Sequence, residues 1–244
     1  MTETLDAPVT TIEYDGDDSR PLQQVPGTST MARWEQFALG LFIVVPLLGV
    51  FAAGFVLWGT GLSWIDVVLS VVFYVITLHG ITVGFHRYFT HGSFKSNRVV
   101  RVALAIAGSM AIQGPVSRWV ADHRRHHAFS DEEGDPHSPW RYGGGFKGLS
   151  RGLMHAHVLW LFDTEQTDQK RFVPDLLADQ DVSRVSKLFP VWVATSLLLP
   201  ALLGGLISWS WVGVLTAFFW ASIIRVGLLH HITWSINSIC HTWG

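Results

Sequence analysis

Residues 62–85 read LSWIDVVLSVVFYVITLHGITVGF and run straight into HRYFTH at 86–91. The first stretch is apolar for more than twenty residues. At about 1.5 Å per residue that is enough to cross a hydrocarbon core of about 30 Å. The second stretch sets two histidines just past its end. Three further apolar runs have similar length: Phe37 to Trp58, Leu188 to Ile207 and Trp211 to Trp234. Within each sequential pair the connection is a few residues, such as GTGL or SWS, so each pair reads as a membrane hairpin. A lone apolar helix could be the core of a soluble domain; four of this length do not fit one. The expected architecture is an all-α membrane protein, with four transmembrane helices in two hairpins and a helical cap between them.

Composition agrees. Of 244 residues, 49% are hydrophobic and 15% charged, against roughly 25% charged in ordinary globular proteins. A net charge of −2 offers nucleic acid no bulk attraction, so no nucleic-acid partner is expected. One cysteine, Cys240, excludes an intrachain disulfide framework and a cysteine-built metal site. Residues 1–30 are rich in Thr, Pro, Asp and Gln and read as a disordered tail. They lack the basic region and short apolar core of a signal peptide. Fourteen Lys and Arg lie between His86 and Lys187, Arg20 and Arg33 lie in the N-terminal segment, and the hairpin tips carry none. The positive-inside bias then puts both termini and the central segment in the cytoplasm. The run Val99 to Ile112 is too short to span and reads as an interfacial or re-entrant helix over the site.

Twelve histidines form clusters: His86 and His91 in HRYFTH, His123, His126 and His127 in HRRHH, and a lone His241 preceded by Asn237. With the expected topology all three emerge on the same side of the membrane. His123, His126 and His127 are spaced i, i+3, i+4, which shares a helical face; they suit one metal centre or two adjacent ones. Asn237 and His241 are also four apart. His86 and His91 are five apart, about 140° around an α-helix, so they need a bend or a helix end to converge. Imidazole suits iron, copper and zinc. No Glu-x-x-His pair of the carboxylate-bridged bundles occurs, so a centre here is built mainly of neutral nitrogen donors. His79, His155 and His157 read as structural. His137, beside Asp135 in DPHSP, suits the orienting of a ligand imidazole. His230 and His231 remain open, with His231 on a face shared with Trp234 and His241.

HRYFTH, WVADHRRHHAFSDEEGDPHSP and TWSINSICHTWG together resemble the histidine boxes of integral-membrane acyl-CoA desaturases of the stearoyl (Δ9) type. The resemblance covers roughly residues 60–244, in order and with similar spacing. The bacterial, and especially actinobacterial, members look closest, which implies a bacterial plasma membrane. It implies a di-iron centre held by nine histidines, of which His86, His91, His123, His126, His127 and His241 are matched. Asn237 matches a residue that reaches a metal through water. It further implies O2 as co-substrate and introduction of a cis double bond into a long saturated acyl chain, in unsaturated fatty acid biosynthesis. Gln113, Trp119 and Trp234 match positions lining a kinked acyl tunnel, and Asp122 is kept from the polar end of the substrate site. Trp119 and Trp234 also suit a membrane-interface belt.

The departures carry expectations of their own. Gly114 and Ala121 stand where animal members have Asn and Arg contacting CoA, so the carrier is a CoA thioester with an acyl carrier protein thioester as the alternative. No cytochrome b5 domain is fused, which implies a separate electron donor of ferredoxin, cytochrome b5 or flavin reductase type. The family's final H-N-x-H-H box, expected some thirty residues after His241, is not reached. Residues 31–244 therefore read as an incomplete desaturase domain, short of three ligands and not expected to hold the full centre. The other readings are a related membrane lipid hydroxylase and a non-catalytic family member.

Overall fold

The computed structural model describes residues 31–56, 61–163 and 165–243. The expected tail at 1–30 and the end of the first apolar run at Trp58 lie outside them. Among the described residues the chain is helical. Helix α1 (Arg33–Val56) is an apolar helix of 24 residues. Helix α2 (Trp64–Thr90) begins at a capping box: Ser63 Oγ accepts from the Asp66 N–H, and the Asp66 carboxylate accepts from the Ser63 N–H at 2.9 Å. Asp66 is 1% exposed, and the Thr216 hydroxyl donates to its other oxygen at 3.1 Å. The charge that starts the helix is thus satisfied inside the bundle.

A cap of shorter helices follows: α3 (Arg98–Ser109), α4 (Val116–Ala128), α5 (Phe146–His157), α6 (Gln169–Phe172), α7 (Pro174–Ala178) and α8 (Gln180–Lys187). Two more long helices close the chain, α9 (Phe189–Ser208) and α10 (Trp211–Trp243), joined through Trp209 and Ser210. Among the described residues α2, α9 and α10 are long and apolar enough to cross a membrane. Their outer faces show why no aqueous fold would suit them. Val67, Val68, Val71, Val72, Val75 and Ile76 all point outward from α2. In lipid that surface costs nothing, while the helix satisfies its own backbone.

The expected short run at 99–112 is α3 plus a turn. It lies against the second half of α2, where the backbones nearly touch: a Cβ on Gly80 would run into the Gly108 amide, and one on Gly108 into the Phe85 ring. The main core sits just inside this contact. Phe85, Val116, Val120, Val173, Val182 and Leu229 are almost fully buried there, each contributing roughly 1.5–3 kcal/mol. This core ties the ends of α2 and α10 to the cap, which is what holds the histidines in register.

Helix α10 carries a charge that its apolar sequence conceals. Arg225 is 2% exposed. Its guanidinium donates to the Ala221 carbonyl at 2.8 Å, the Thr77 hydroxyl at 3.2 Å, and the Ser196 hydroxyl and carbonyl at 2.8 and 3.1 Å. One side chain thereby joins α2, α9 and α10.

Candidate metal centre and acyl cavity

The convergence that an α-helix denies His86 and His91 comes from a change of helix type. From Gly80 to Thr90, α2 is a π-helix, whose i→i+5 bonding puts residues five apart on one face. The His91 N–H donates to the His86 carbonyl at 3.2 Å, and the two Nε2 atoms stand 3.2 Å apart. The widening occurs where Gly80 and Gly84 press against α3.

On α4 the i, i+4 pair His123 and His127 faces the same point, with Nε2 atoms 3.1 Å apart. The ring centroids of His86 and His123 are 4.8 Å apart and those of His91 and His127 4.6 Å. One nitrogen from each of the four lies within 4.8 Å of the others. Two nitrogens each about 2.1 Å from a cation and about 90° apart stand about 3.0 Å from one another. The spacing found is therefore that of a ligand shell. Burial, then the neighbouring imidazoles, hold His127 down to about 4 and His123 well below its ordinary value. Their lone pairs are free at neutral pH, as metal binding requires.

His126 turns the other way, toward Asp135 and His137, in a second group of donor atoms within 4.8 Å. Asp135 is an acceptor for three donors: His126 Nδ1–H at 2.9 Å, and the Asp131 and His137 backbone N–H groups at 2.9 and 3.0 Å. Burial alone would raise its carboxyl; the His126 bond and His137 outweigh it and hold it below the ordinary range. With Nδ1 so engaged, His126 keeps Nε2 for a ligand. The His137 ring lies tilted against His126 with centroids 4.2 Å apart, is lowered to about 3 chiefly by burial, and has a buried Nδ1 without a hydrogen-bond partner. His241 joins this side: its ring is 4.7 Å from His126, and its Nδ1 bonds Asp131 at 3.0 Å. The six histidines expected as ligands thus fall into two adjacent groups, four in one and two in the other. The first group fits a cation by donor chemistry and by spacing; His126 and His241 fit by donor chemistry and by the carboxylates that orient their rings.

A cavity of about 1580 Å³ adjoins the first group at His86 and His123 and also meets Asp135 and His137; it is larger than the roughly 300–1,000 Å³ of common ligand pockets. It runs from Trp34, Leu39 and Phe42 on α1, past Ile112 and Gln113, to His86 and His123. Gln113, Trp119, Asp122, Trp234 and Asn237 all line it. Gln113 is held at both ends: its Nε2 donates to Thr233 Oγ1 at 2.8 Å, and its Oε1 accepts from Trp119 Nε1 at 3.3 Å. The Trp119 ring in turn lies 4.8 Å from His123. Burial raises the Asp122 carboxyl despite a bond to Thr167 and the nearby Arg118 and Arg125.

His231 sits instead against α5, its Nδ1 3.1 Å from His157 Nε2, outside both groups. His155 Nε2 lies 3.1 Å from the Pro136 carbonyl and 3.0 Å from the Arg141 guanidinium, and bonds one or the other according to its tautomer; His79 Nδ1 donates to the Val75 carbonyl. Sequence reasoning passed over Asp131, Thr233 and Arg225. Asp131 lies 110 positions from the histidine it orients, and the other two sit in a run read only as apolar.

Residues 62–244 match the family model for fatty acid desaturases. The chain is 40% identical over 206 residues to the hex-5-enoyl-[acyl-carrier protein] acetylenase of Moorena producens (strain JHB), covering 84% of this chain and 64% of that protein. It is 31% identical over 223 residues to Delta-9 acyl-lipid desaturase 1 of Arabidopsis thaliana, covering 89% and 67%. To stearoyl-CoA desaturase 5 of Bos taurus it is 33% identical over 178 residues, covering 70% and 49%. The chain thus spans half to two thirds of the length of these relatives. Helices fit for a membrane, paired imidazole groups and a match over three quarters of the sequence agree: the chain belongs to the fatty acid desaturase family, whose members are oxidoreductases.

Proposed function

We propose that this chain carries the acyl-binding and metal-binding parts of an O2-dependent membrane desaturase that sets a cis double bond, at Δ9, into a long saturated acyl chain. The observation that carries the proposal is the sharing of His86 and His123 between the four-imidazole group and the long cavity. A carbon lodged in that cavity lies beside the metal-binding nitrogens.

The metal ligands are His86, His91, His123 and His127 in one group and His126 and His241 in the other, with Asn237 beside them. Two irons bound there would supply the oxidant that an unactivated methylene requires. The protein's own part is positioning. Asp135 and Asp131 fix the rings of His126 and His241. Trp119 and Gln113, bonded to each other in the cavity wall beside His123, hold the acyl chain against the first group and keep bulk water from the reacting carbons. Asp122, with Arg118 and Arg125 nearby, forms the polar end, which takes the thioester of CoA or acyl carrier protein.

The relatives' names span acyl carrier protein, lipid and CoA carriers; the acyl chain is what they share. We place α1 as a fourth span, in a hairpin with α2, and α9 with α10 as the second. The histidine groups and both ends then face the cytoplasm of a bacterial plasma membrane, where a separate electron donor docks on the basic cap.

Lipid profiling of a host expressing the complete reading frame that contains this chain, with labelled saturated acids fed, tests the proposal. A new cis-monoenoic acid is the result expected. An alkyne would favour the acetylenase-like reading that the Moorena producens relative suggests. An alcohol, or no new product beside an active relative in the same host, would overturn it.

A further inference from the structure

The turn from Met110 to Gly114 is an unusual piece of backbone for its depth. It follows α3, lines the cavity through Ile112, Gln113 and Gly114, and places Ile112, a β-branched residue, at φ 60°. Left-handed backbone at such a residue is a strained conformation that persists only where the surroundings over-determine it. The surroundings here are three side chains from the spanning helices. Ser196 of α9 donates to the Met110 carbonyl at 2.6 Å. His230 of α10 donates through Nε2 to the Ala111 carbonyl at 2.9 Å. Arg225 of α10 holds Ser196 at both hydroxyl and carbonyl. Arg225, Ser196 and His230 are each 3% exposed or less.

A buried arginine costs far more than a fold needs to spend on joining helices, and in a spanning helix it marks function by default. The acceptors shown for it are neutral: two carbonyls and two hydroxyls. Two of the four belong to Ser196, the residue that bonds the turn. From the turn the connection continues through Gln113 to Trp119, and from Trp119 to His123. The height of the turn therefore fixes the floor of the cavity relative to the imidazoles. An acyl chain that meets that floor presents one pair of carbons, and not its neighbours, to His86 and His123.

We infer that Arg225, Ser196 and His230 form a brace behind the Met110–Gly114 turn that sets which carbons of a bound acyl chain lie at the histidine groups. Arg225 and Ser196 lie outside the cavity lining and act on the site of desaturation by position alone, while His230 also lines the cavity. The inference rests on the acyl reading of the cavity.

It is tested without turnover. The full chain, purified into nanodiscs, is labelled with stearoyl analogues bearing a diazirine at successive carbons, and adducts on residues 110–119 are mapped by mass spectrometry. The wild type should show one preferred carbon. His230→Leu and Ser196→Ala should shift that preference to another carbon, and Arg225→Lys should restore it in part relative to Arg225→Gln. Thermal unfolding of each variant separates a moved floor from a lost fold, and Ser196→Ala is the mildest variant. An unchanged preferred carbon in folded His230→Leu and Ser196→Ala proteins would overturn the brace. Absence of any adduct on 110–119 in the wild type would instead overturn the acyl reading itself, and the brace with it.

Discussion

Replacing Asp135 by Asn tests how the second imidazole group is held. The Asp135 carboxylate is 5% exposed and meets three donors at 2.9–3.0 Å: the His126 ring and the backbone N–H groups of Asp131 and His137. Asparagine keeps one acceptor oxygen and turns an NH2 group toward donors. At least one of the three bonds is lost and a donor is left unpaired in the interior. Hydrogen bonds to a charged group contribute about 1.5–3 kcal/mol, and an orphaned buried donor costs about 1–3 kcal/mol. A loss of about 2–4 kcal/mol is expected, or about 5–15 °C in Tm at roughly 2–4 °C per kcal/mol. Freed from the carboxylate, the His126 ring also loses its fixed tautomer, and metal affinity should fall about 10–100-fold. Intrinsic tryptophan fluorescence on heating, in metal-free detergent solution, reads the first effect. Competition with a chelator for Fe2+ or Co2+ reads the second. Asp131→Asn is the control for the stability effect alone, because Asp131 is one-third exposed and its loss should cost no more than about 1 kcal/mol, while its bond to His241 still ties it to metal affinity. An Asp135→Asn protein with wild-type Tm and wild-type metal affinity would refute the assignment of Asp135 as the residue that orients His126.

Other outcomes follow from the same geometry. Gly80→Leu should abolish the α2–α3 contact, where even a Cβ meets the Gly108 backbone; a loss of about 3 kcal/mol or more is expected, seen as failure to purify monodisperse. Ser63→Ala removes the cap of α2 and one partner of the buried Asp66, and should lower stability by about 1–2 kcal/mol in a thermal-shift assay. The Arg98 and Arg101 guanidinium groups bind Asp181 and hold its carboxyl down to about 2, below the roughly 3.9 of an unfolded chain. The folded value is depressed, so this contribution is complete above about pH 4 and is lost as pH falls toward about 2. Hydrogen exchange of α8 should show that window in the wild type, and Asp181→Asn should flatten it.

Much of this was legible in the sequence, for physical reasons. The runs at 62–85, 188–207 and 211–234 declare themselves because a lipid-facing helix has no polar side to hide. The pair His123 and His127 declares itself because i, i+4 is an ordinary helical spacing. The pair His86 and His91 does not: its convergence depends on a π-helix, and its setting, Gly80 and Gly84 packed against α3, is long-range packing. Asp135 could be suspected as a neighbour of His137, yet the ring it orients is that of His126, through a turn no periodicity describes. Asp131 and His241 meet only in three dimensions. Arg225 was hidden by its surroundings, since a single cation in an apolar run changes neither the length nor the average on which a span is read.

The most direct test of the account is X-ray absorption at the iron edge on purified protein loaded anaerobically with Fe2+, with metal content measured in parallel. The account predicts iron in a shell dominated by imidazole nitrogen at about 2.1 Å, lost from the first group in a His86→Ala/His123→Ala variant that keeps its helical signal. Iron absent from the folded wild type, or bound equally well by that double variant, would contradict it.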